Sequence, residues 1–172
     1  MDALAGLIRA VADFPAPGVT FRDITPLLAD ADAFRRAVAL LAAPWRDARI
    51  DAVAAVEARG FIFGTALAGA LGAGLVPLRK PGKLPPPTRG VDYALEYGHD
   101  RLEMRADALP EGARVLLADD VLATGGTLRA ARALVQACGA HVVGASLLIE
   151  LDALGGRAVW GDAAPLHALL HY

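Results

Sequence analysis

The chain has a single cysteine, Cys138, so no internal disulfide can staple it, and that composition suits a reducing cytoplasm. With no histidine evidently paired with it, Cys138 reads as a small buried hydrophobe rather than a catalytic thiol. An excess of positive charge is also missing: 17 Lys and Arg stand against 19 Asp and Glu, for a formal net charge of -2 and a pI near 6.1. No overall basic field exists to draw in a nucleic-acid backbone or an anionic membrane, so any anion must be held by local groups. No apolar run approaches the roughly 20 residues a membrane-spanning helix requires. The opening "MDALAGLIRAVADFP" carries acid at position 2 and is broken by Arg9 and Asp13, unlike a secretory leader. A soluble, cytoplasmic protein is expected. His99, His141, His167 and His171 show neither metal-ligand spacing nor a nearby acid pattern, which points to surface or packing roles.

The chain does have enough apolar residues for a core. Its 172 residues, 55% hydrophobic and 21% charged, suit one globular domain spanning 1–172, and they show no internal repeat. Leu4, Leu7, Val11 and Phe14 recur at helical spacing until "FPAPG" stops the pattern. Phe34, Val38, Leu41 and Trp45 form a second helical stripe, with Asp30 or Asp32 as its N-cap and Pro44 near its end. "IDAVAAVEA" predicts a buried strand, "RGFIFGTALAGALGAG" a turn and a small-residue helix, and "LVPLRK" another strand. Pro81–Gly90, rich in proline and glycine, predicts a surface loop. "YALEYGHDRLEMR" alternates around Gly98 as a hairpin standing off the main sheet. "RVLLADD" is a buried strand. Leu128, Ala131, Val135 and Cys138 mark a helix, and "HVVGASLLIEL" a further strand. Strands alternating with helices predict an α/β fold, a mostly parallel twisted sheet with helices on both faces.

The chemistry concentrates in "VLLADDVLATGGTLRAA", Val115 to Ala131. The loop leaving the C-terminal end of a parallel strand is where ligands gather in such sheets. Here the amides of Ala123 to Thr127 would face one concavity at a helix N-terminus, with glycines permitting close approach and threonine hydroxyls adding donors. No lysine follows the glycines as an ATP-type P-loop requires. "GALGAG", Gly69 to Gly74, has the wrong glycine order for a dinucleotide fingerprint and reads as tight helix packing. Asp119 and Asp120 would repel a bare phosphate, yet carboxylates accept hydrogen bonds from hydroxyls and bind Mg²⁺ directly or through water. A sugar phosphate resolves the conflict: hydroxyls to the acids, phosphate to the amides. The plainer alternative is an Asp pair that ends a strand and caps a helix.

"VLLADDVLATGGT" resembles the signature of the type I phosphoribosyltransferases. "FPAPGVTFRDITPLL", "EARGFIFG" with "LRKPGKLP", and "YALEYG" resemble the adenine-specific branch of that family in order and spacing, from about Phe14 to Leu151. The resemblance implies the type I fold with a small hood from about 14–28 and 81–104. It also implies transfer of a phosphoribosyl group from phosphoribosyl pyrophosphate to adenine, with Mg²⁺ held mainly by substrate and by Asp119 or Asp120 through water. On it, Asp119 and Asp120 hold the ribose hydroxyls, and Ala123, Thr124, Gly125, Gly126 and Thr127 hold the 5-phosphate. Arg59 and Gly60 form the pyrophosphate loop, with a cis peptide at Glu57–Ala58. Arg79, Lys80 and Lys83 add positive charge on the pyrophosphate side, Arg79 reaching the neighbouring subunit of a homodimer. Glu96 is the catalytic glutamate over purine N7, and Tyr97 closes a mobile hood. Phe21 stacks on adenine, the Arg22 backbone reads its edge, and Thr20 and Val121 line the pocket, although Thr20 stands where the family often has an aliphatic residue.

Without the resemblance several of these residues have ordinary explanations. Arg59 could form a surface ion pair, Lys83 could be solvated surface, Glu96 an exposed strand residue and Phe21 core. Trp45 and Trp160 read as core or interface aromatics. Two other functions share the motif. One is a transferase for a 6-oxopurine, whose donor and acceptor pattern is opposite to adenine's. The other is a non-catalytic sensor of phosphoribosyl pyrophosphate that regulates transcription, for which the chain shows neither a helix-turn-helix extension nor a basic face.

Overall fold

In the computed structural model, residues 2–94, 99–162 and 164–172 are described. Glu96, Tyr97 and Gly98 lie outside them, so the predicted turn of the hairpin does too. The organising element is a five-stranded parallel sheet, in spatial order β4 (Gly74–Leu78), β3 (Ala52–Val56), β7 (Arg114–Leu122), β8 (His141–Glu150) and β9 (Leu166–His171). β3 reads AVAAV and is buried at every position, as expected of a strand covered on both faces. Pro77, which cannot donate to a ladder, sits in the edge strand β4.

Alternation along the central strands divides the interior into two cores. Ala52, Ala54, Val56, Val115 and Leu117 face one; Val53, Ala55, Leu116 and Ala118 face the other. The first core is closed by α5 (Gly126–Ala137) and by the antiparallel pair β5 (Thr88–Ala94) and β6 (His99–Arg105). Helices α3 (Ala31–Ala42) and α4 (Gly60–Leu71) close the second. Asp30 caps α3 by accepting from the amides of Asp32 and Ala33 at 3.0 and 2.9 Å, which decides between the two cap candidates. Trp45 and Trp160 are core residues, 4% and 2% exposed. Cys138 packs against the first core, and burial pushes its thiol pKa up, as befits an unreactive cysteine. Among the described residues no helix is long and apolar enough to cross a membrane.

Four expectations need correction. The first helix covers only α1 (Asp2–Ala5), and Val11 belongs to β1 (Arg9–Val11), which pairs antiparallel with β2 (Phe21–Asp23). That non-local pairing overrode the local helical spacing. Within "GALGAG", a Cβ on Gly69 would meet open space, and Gly72 ends α4 in the left-handed conformation at φ +65. The close helix–sheet contact is at Gly64, where a Cβ would lie 2.3 Å from the Ala55 Cβ. The proline-rich segment is a loop only as far as Pro87, because Thr88–Gly90 already belong to β5. Finally, His171 does have acidic neighbours: its Nδ1 lies 2.9 Å from Asp152 Oδ1 and 3.8 Å from Glu150 Oε2. Among the elements without a counterpart in the sequence reading are β2, α6 (Gly156–Trp160) and β9. A short helix, α2 (Thr25–Ala29), completes the set between β2 and α3.

Candidate active site

The C-terminal ends of β3 and β7 lie side by side and open onto one cavity of about 440 Å³. It is lined by Val56 at the end of β3 and Glu57, Ala58 and Arg59 after it, by Lys80 after β4, by Asp119, Asp120 and Val121 in β7, and by Ala123 and Thr127 beyond it. Asp119, Val121, Ala123 and Thr127 also line a recess of about 70 Å³ that continues into Thr124 and Gly125. Gly125 adopts φ +84 and ends the turn, and α5 begins at Gly126. The first amides of this 12-residue helix have no intrahelical partner, and they carry the positive end of its dipole. The segment read as a cup from "ATGGT" thus lines a recess at the N-terminus of α5 together with Asp119.

The acids occupy different environments. Asp120 is 5% exposed; its amide donates to Asp119 Oδ1 at 2.8 Å, and Arg59 Nε lies 2.5 Å from its Oδ2. That Oδ2 has no hydrogen-bond partner among the described residues, so the contact with Arg59 is an ion pair by distance. Burial pushes the Asp119 carboxyl well above its ordinary range and the charge of Asp120 adds to the rise, while Arg59 pulls the other way. A cation or a hydroxyl donor at the Asp119 carboxyl would favour its charged form. Gly60 makes room for it: a Cβ there would stand 2.8 Å from Asp119 Oδ1 and 3.2 Å from the Ala118 carbonyl.

The Glu57–Ala58 peptide bond is cis, as the resemblance implied. Glu57 turns away from the cup and gathers cations: Arg79 Nε donates to it at 2.9 Å and Lys83 Nζ at 2.8 Å. Burial pushes the Glu57 carboxyl up, but the hydrogen bonds from Lys83, Arg79 and the Lys80 amide outweigh it and hold the pKa below its usual range. Of the three predicted cations, Lys80 alone lines the cavity. Arg79 and Lys83 are drawn into this clasp, with Arg79 also 5.9 Å from the Phe61 ring. Lys80 pairs with Asp100 and donates to Tyr93 Oη at 3.1 Å, and Thr127 Oγ1 lies 3.5 Å from that hydroxyl. Tyr93 and Asp100 thereby tie the hairpin to the cup. Sequence reasoning missed both, since a Tyr and an Asp in an alternating strand carry no signal of their own.

A second cavity, about 150 Å³ and lined by Val19, Thr20, Phe21, Arg22, Arg59, Val121 and Leu151, adjoins the first. Thr20, Phe21, Arg22 and Val121 are thus brought together as predicted. Phe14 meets Phe21 edge-on at 5.2 Å, and the Arg59 guanidinium lies 5.1 Å from the Phe21 ring centre. Arg22 directs its guanidinium onto the ring of Tyr172 at 4.0 Å. Leu151 was missed as a lining residue, although its place just after the β8 run marks a strand's C-terminal end. Glu96 and Tyr97 fall outside the described residues.

Similarity to known proteins agrees with this geometry. A family model described as the phosphoribosyl transferase domain matches residues 27–160. The adenine phosphoribosyltransferase of Xanthomonas campestris pv. campestris strain B100 is 58% identical over 168 residues, 98% of this chain and 90% of that protein. The crystal structure of the Rhodothermus marinus adenine phosphoribosyltransferase superposes with a TM-score of 0.95 at 47% identity, covering 99% of this chain and 97% of that one. The Saccharomyces cerevisiae enzyme, solved in complex with adenine and an imino-altritol bisphosphate, superposes with a TM-score of 0.92 at 36% identity over 98% and 97% of the two chains. A sheet whose strand ends carry paired acids beside an amide cup, with this likeness along nearly its whole length, makes the chain a member of the phosphoribosyl transferase domain family.

Proposed function

We propose that this chain transfers the 5-phosphoribosyl group of phosphoribosyl pyrophosphate to N9 of adenine, releasing pyrophosphate and forming AMP in purine salvage. The observation that carries the reading is the junction of two unlike cavities across Arg59 and Val121. One offers amides, acids and cations to a sugar phosphate. Its neighbour offers Phe21 and aliphatic walls to a flat base.

On this reading Ala123, Thr124, Gly125, Gly126 and Thr127 hold the 5-phosphate, and Asp119 and Asp120 accept from the ribose hydroxyls. Arg59, Gly60 and Lys80 line the path of the pyrophosphate. As the C1–N9 bond forms and the C1–oxygen bond breaks, the electron pair leaves on pyrophosphate and positive charge builds on the ribose ring. The acids and the cations that line the cavity answer those two charges. Adenine packs on Phe21, with Thr20 and Val121 beside it and the Arg22 backbone at its edge. Glu96 accepts the hydrogen bond of the purine N7 proton, draws density toward N9 and takes up that proton as the C1–N9 bond forms. Tyr97, with the hood segments 14–28 and 81–104 of this one domain, shuts water out.

Mg²⁺ is expected, mainly on substrate oxygens. The donor set fits it: the carboxylates of Asp119 and Asp120 line the cavity, oxygen donors of the kind a hard cation takes directly or through water. When bound, the ion neutralises charge on the departing pyrophosphate. A cytoplasmic homodimer is also part of the reading. Ile62 and Leu75 are each 39% exposed, and Arg79 lies outside its own chain's cavity, as a residue serving a partner's site would.

An assay with Mg²⁺, phosphoribosyl pyrophosphate and adenine, hypoxanthine, guanine or xanthine tests the proposal. AMP and pyrophosphate should form in equal amounts from adenine. Much faster turnover of a 6-oxopurine would overturn the base assignment.

A further inference from the structure

The cup is held from behind by the segment that follows β8. A Cβ on Gly156 would lie 2.2 Å from the Ala123 carbonyl oxygen and 2.9 and 3.0 Å from the Leu122 side chain. Reciprocally, a Cβ on Gly125 would lie 2.7 Å from the Gly156 carbonyl oxygen and 3.0 Å from the Val159 Cβ. Distances that short to backbone atoms cannot be relieved by a change of rotamer; the backbone itself must move. Two glycines on different elements therefore let two stretches of main chain touch.

The backing segment is itself anchored. Arg157 donates from Nε to Glu150 Oε1 at 3.0 Å and from a terminal nitrogen to Oε2 at 2.5 Å, and Glu150 is 4% exposed. The other Arg157 nitrogen donates to the Leu166 carbonyl at 3.2 Å, which ties α6 to β9 as well. At the far end of α6, Arg132 of α5 donates to the Trp160 carbonyl at 2.9 Å, with its guanidinium 4.7 Å from the indole ring. A bidentate arginine on a buried carboxylate is a stiff, directional link.

We propose that Gly156 is a positioning residue for the 5-phosphate: with α6 held by the Arg157–Glu150 pair, it sets where the Ala123–Thr127 amides point. This rests on the assignment of the 5-phosphate to that loop. A methyl group at position 156 pushes the Ala123 carbonyl away and turns the following amides off the phosphate, while neither Gly156 nor Ala123 lines the base cavity.

Steady-state kinetics of Gly156→Ala should show the KM for phosphoribosyl pyrophosphate raised about tenfold or more, with the KM for adenine within about twofold and AMP binding weakened in parallel. Arg157→Lys keeps the charge, loses the bidentate link and should give the same split at about threefold, which keeps the test available if the first variant fails to fold. The proposal is overturned if both KM values rise together, if only kcat falls, or if neither variant moves the KM for phosphoribosyl pyrophosphate. Thr127→Val separates the two layers of the argument. If it weakens AMP binding and neither position 156 nor position 157 matters, the backing role alone is wrong; if it too leaves AMP binding intact, the loop is not the phosphate site and both assignments fall.

Discussion

At one end of the cavity the loop Ala123–Thr127 is held by backbone against backbone, with Gly125 and Gly156 in contact and Gly60 leaving room for Asp119. At the other end Glu57, Arg79 and Lys83 hold one another through side chains, and Lys80 is shared with Asp100 and Tyr93. The first arrangement is steric and insensitive to ions. The second is electrostatic, with Lys83 about half exposed, and is open to screening. On the proposed function, a 5-phosphate that stays on the sugar throughout turnover suits the first arrangement, and a pyrophosphate that must be gripped and then released suits the second.

Substitutions should respect that division. Gly60→Ala should cost the most, about 10²-fold in kcat/KM for phosphoribosyl pyrophosphate, because the added methyl displaces Asp119 from its seat; the loss should be the same at low and high salt. Lys83→Met removes one of the two cations on Glu57 and should raise that KM about five- to tenfold at low ionic strength, the gap shrinking near 1 M salt. If the Gly60 deficit shrank with salt and the Lys83 deficit did not, the contrast between the two ends would be lost.

The smallest effect concerns stability. Asp119 has its carboxyl pKa raised by burial and by Asp120, so its folded-state contribution is favourable at low pH and is lost as pH rises through the raised value. Asp119→Asn keeps the oxygen that accepts from the Asp120 amide and removes the repulsion. Thermal unfolding of the ligand-free variant should therefore show a Tm a few degrees higher at neutral pH, with the gain vanishing as the pH is lowered and wild-type Asp119 becomes protonated. A gain that persists unchanged at acid pH would show that repulsion is not its source.

Much of this was legible beforehand. The unalternating run AVAAV is compatible with a strand buried on both faces, as β3 is, and the apolar stripe behind Asp30 and Asp32 marks a helix start, with the choice of Asp30 as the cap left to the structure. The cup could be read because amides, glycines and acids lie within nine residues, Asp119 to Thr127, and their chemistry depends on that local order. Phe21, Arg59 and Val121 were gathered only by resemblance, being far apart in sequence and ordinary one by one.

What the order of residues settled by itself is the alternation of strands and helices and the chemistry of the Asp119–Thr127 stretch, since both follow from neighbours a few bonds apart. Folding in three dimensions alone settled that Val11 pairs with Phe21 instead of extending a helix, that β9 joins the sheet beside β8, that Arg79 and Lys83 turn to Glu57, and that Gly156 meets Ala123. Each of those outcomes is a contact between segments distant along the chain, chosen by burial, hydrogen bonding or charge that no local window contains.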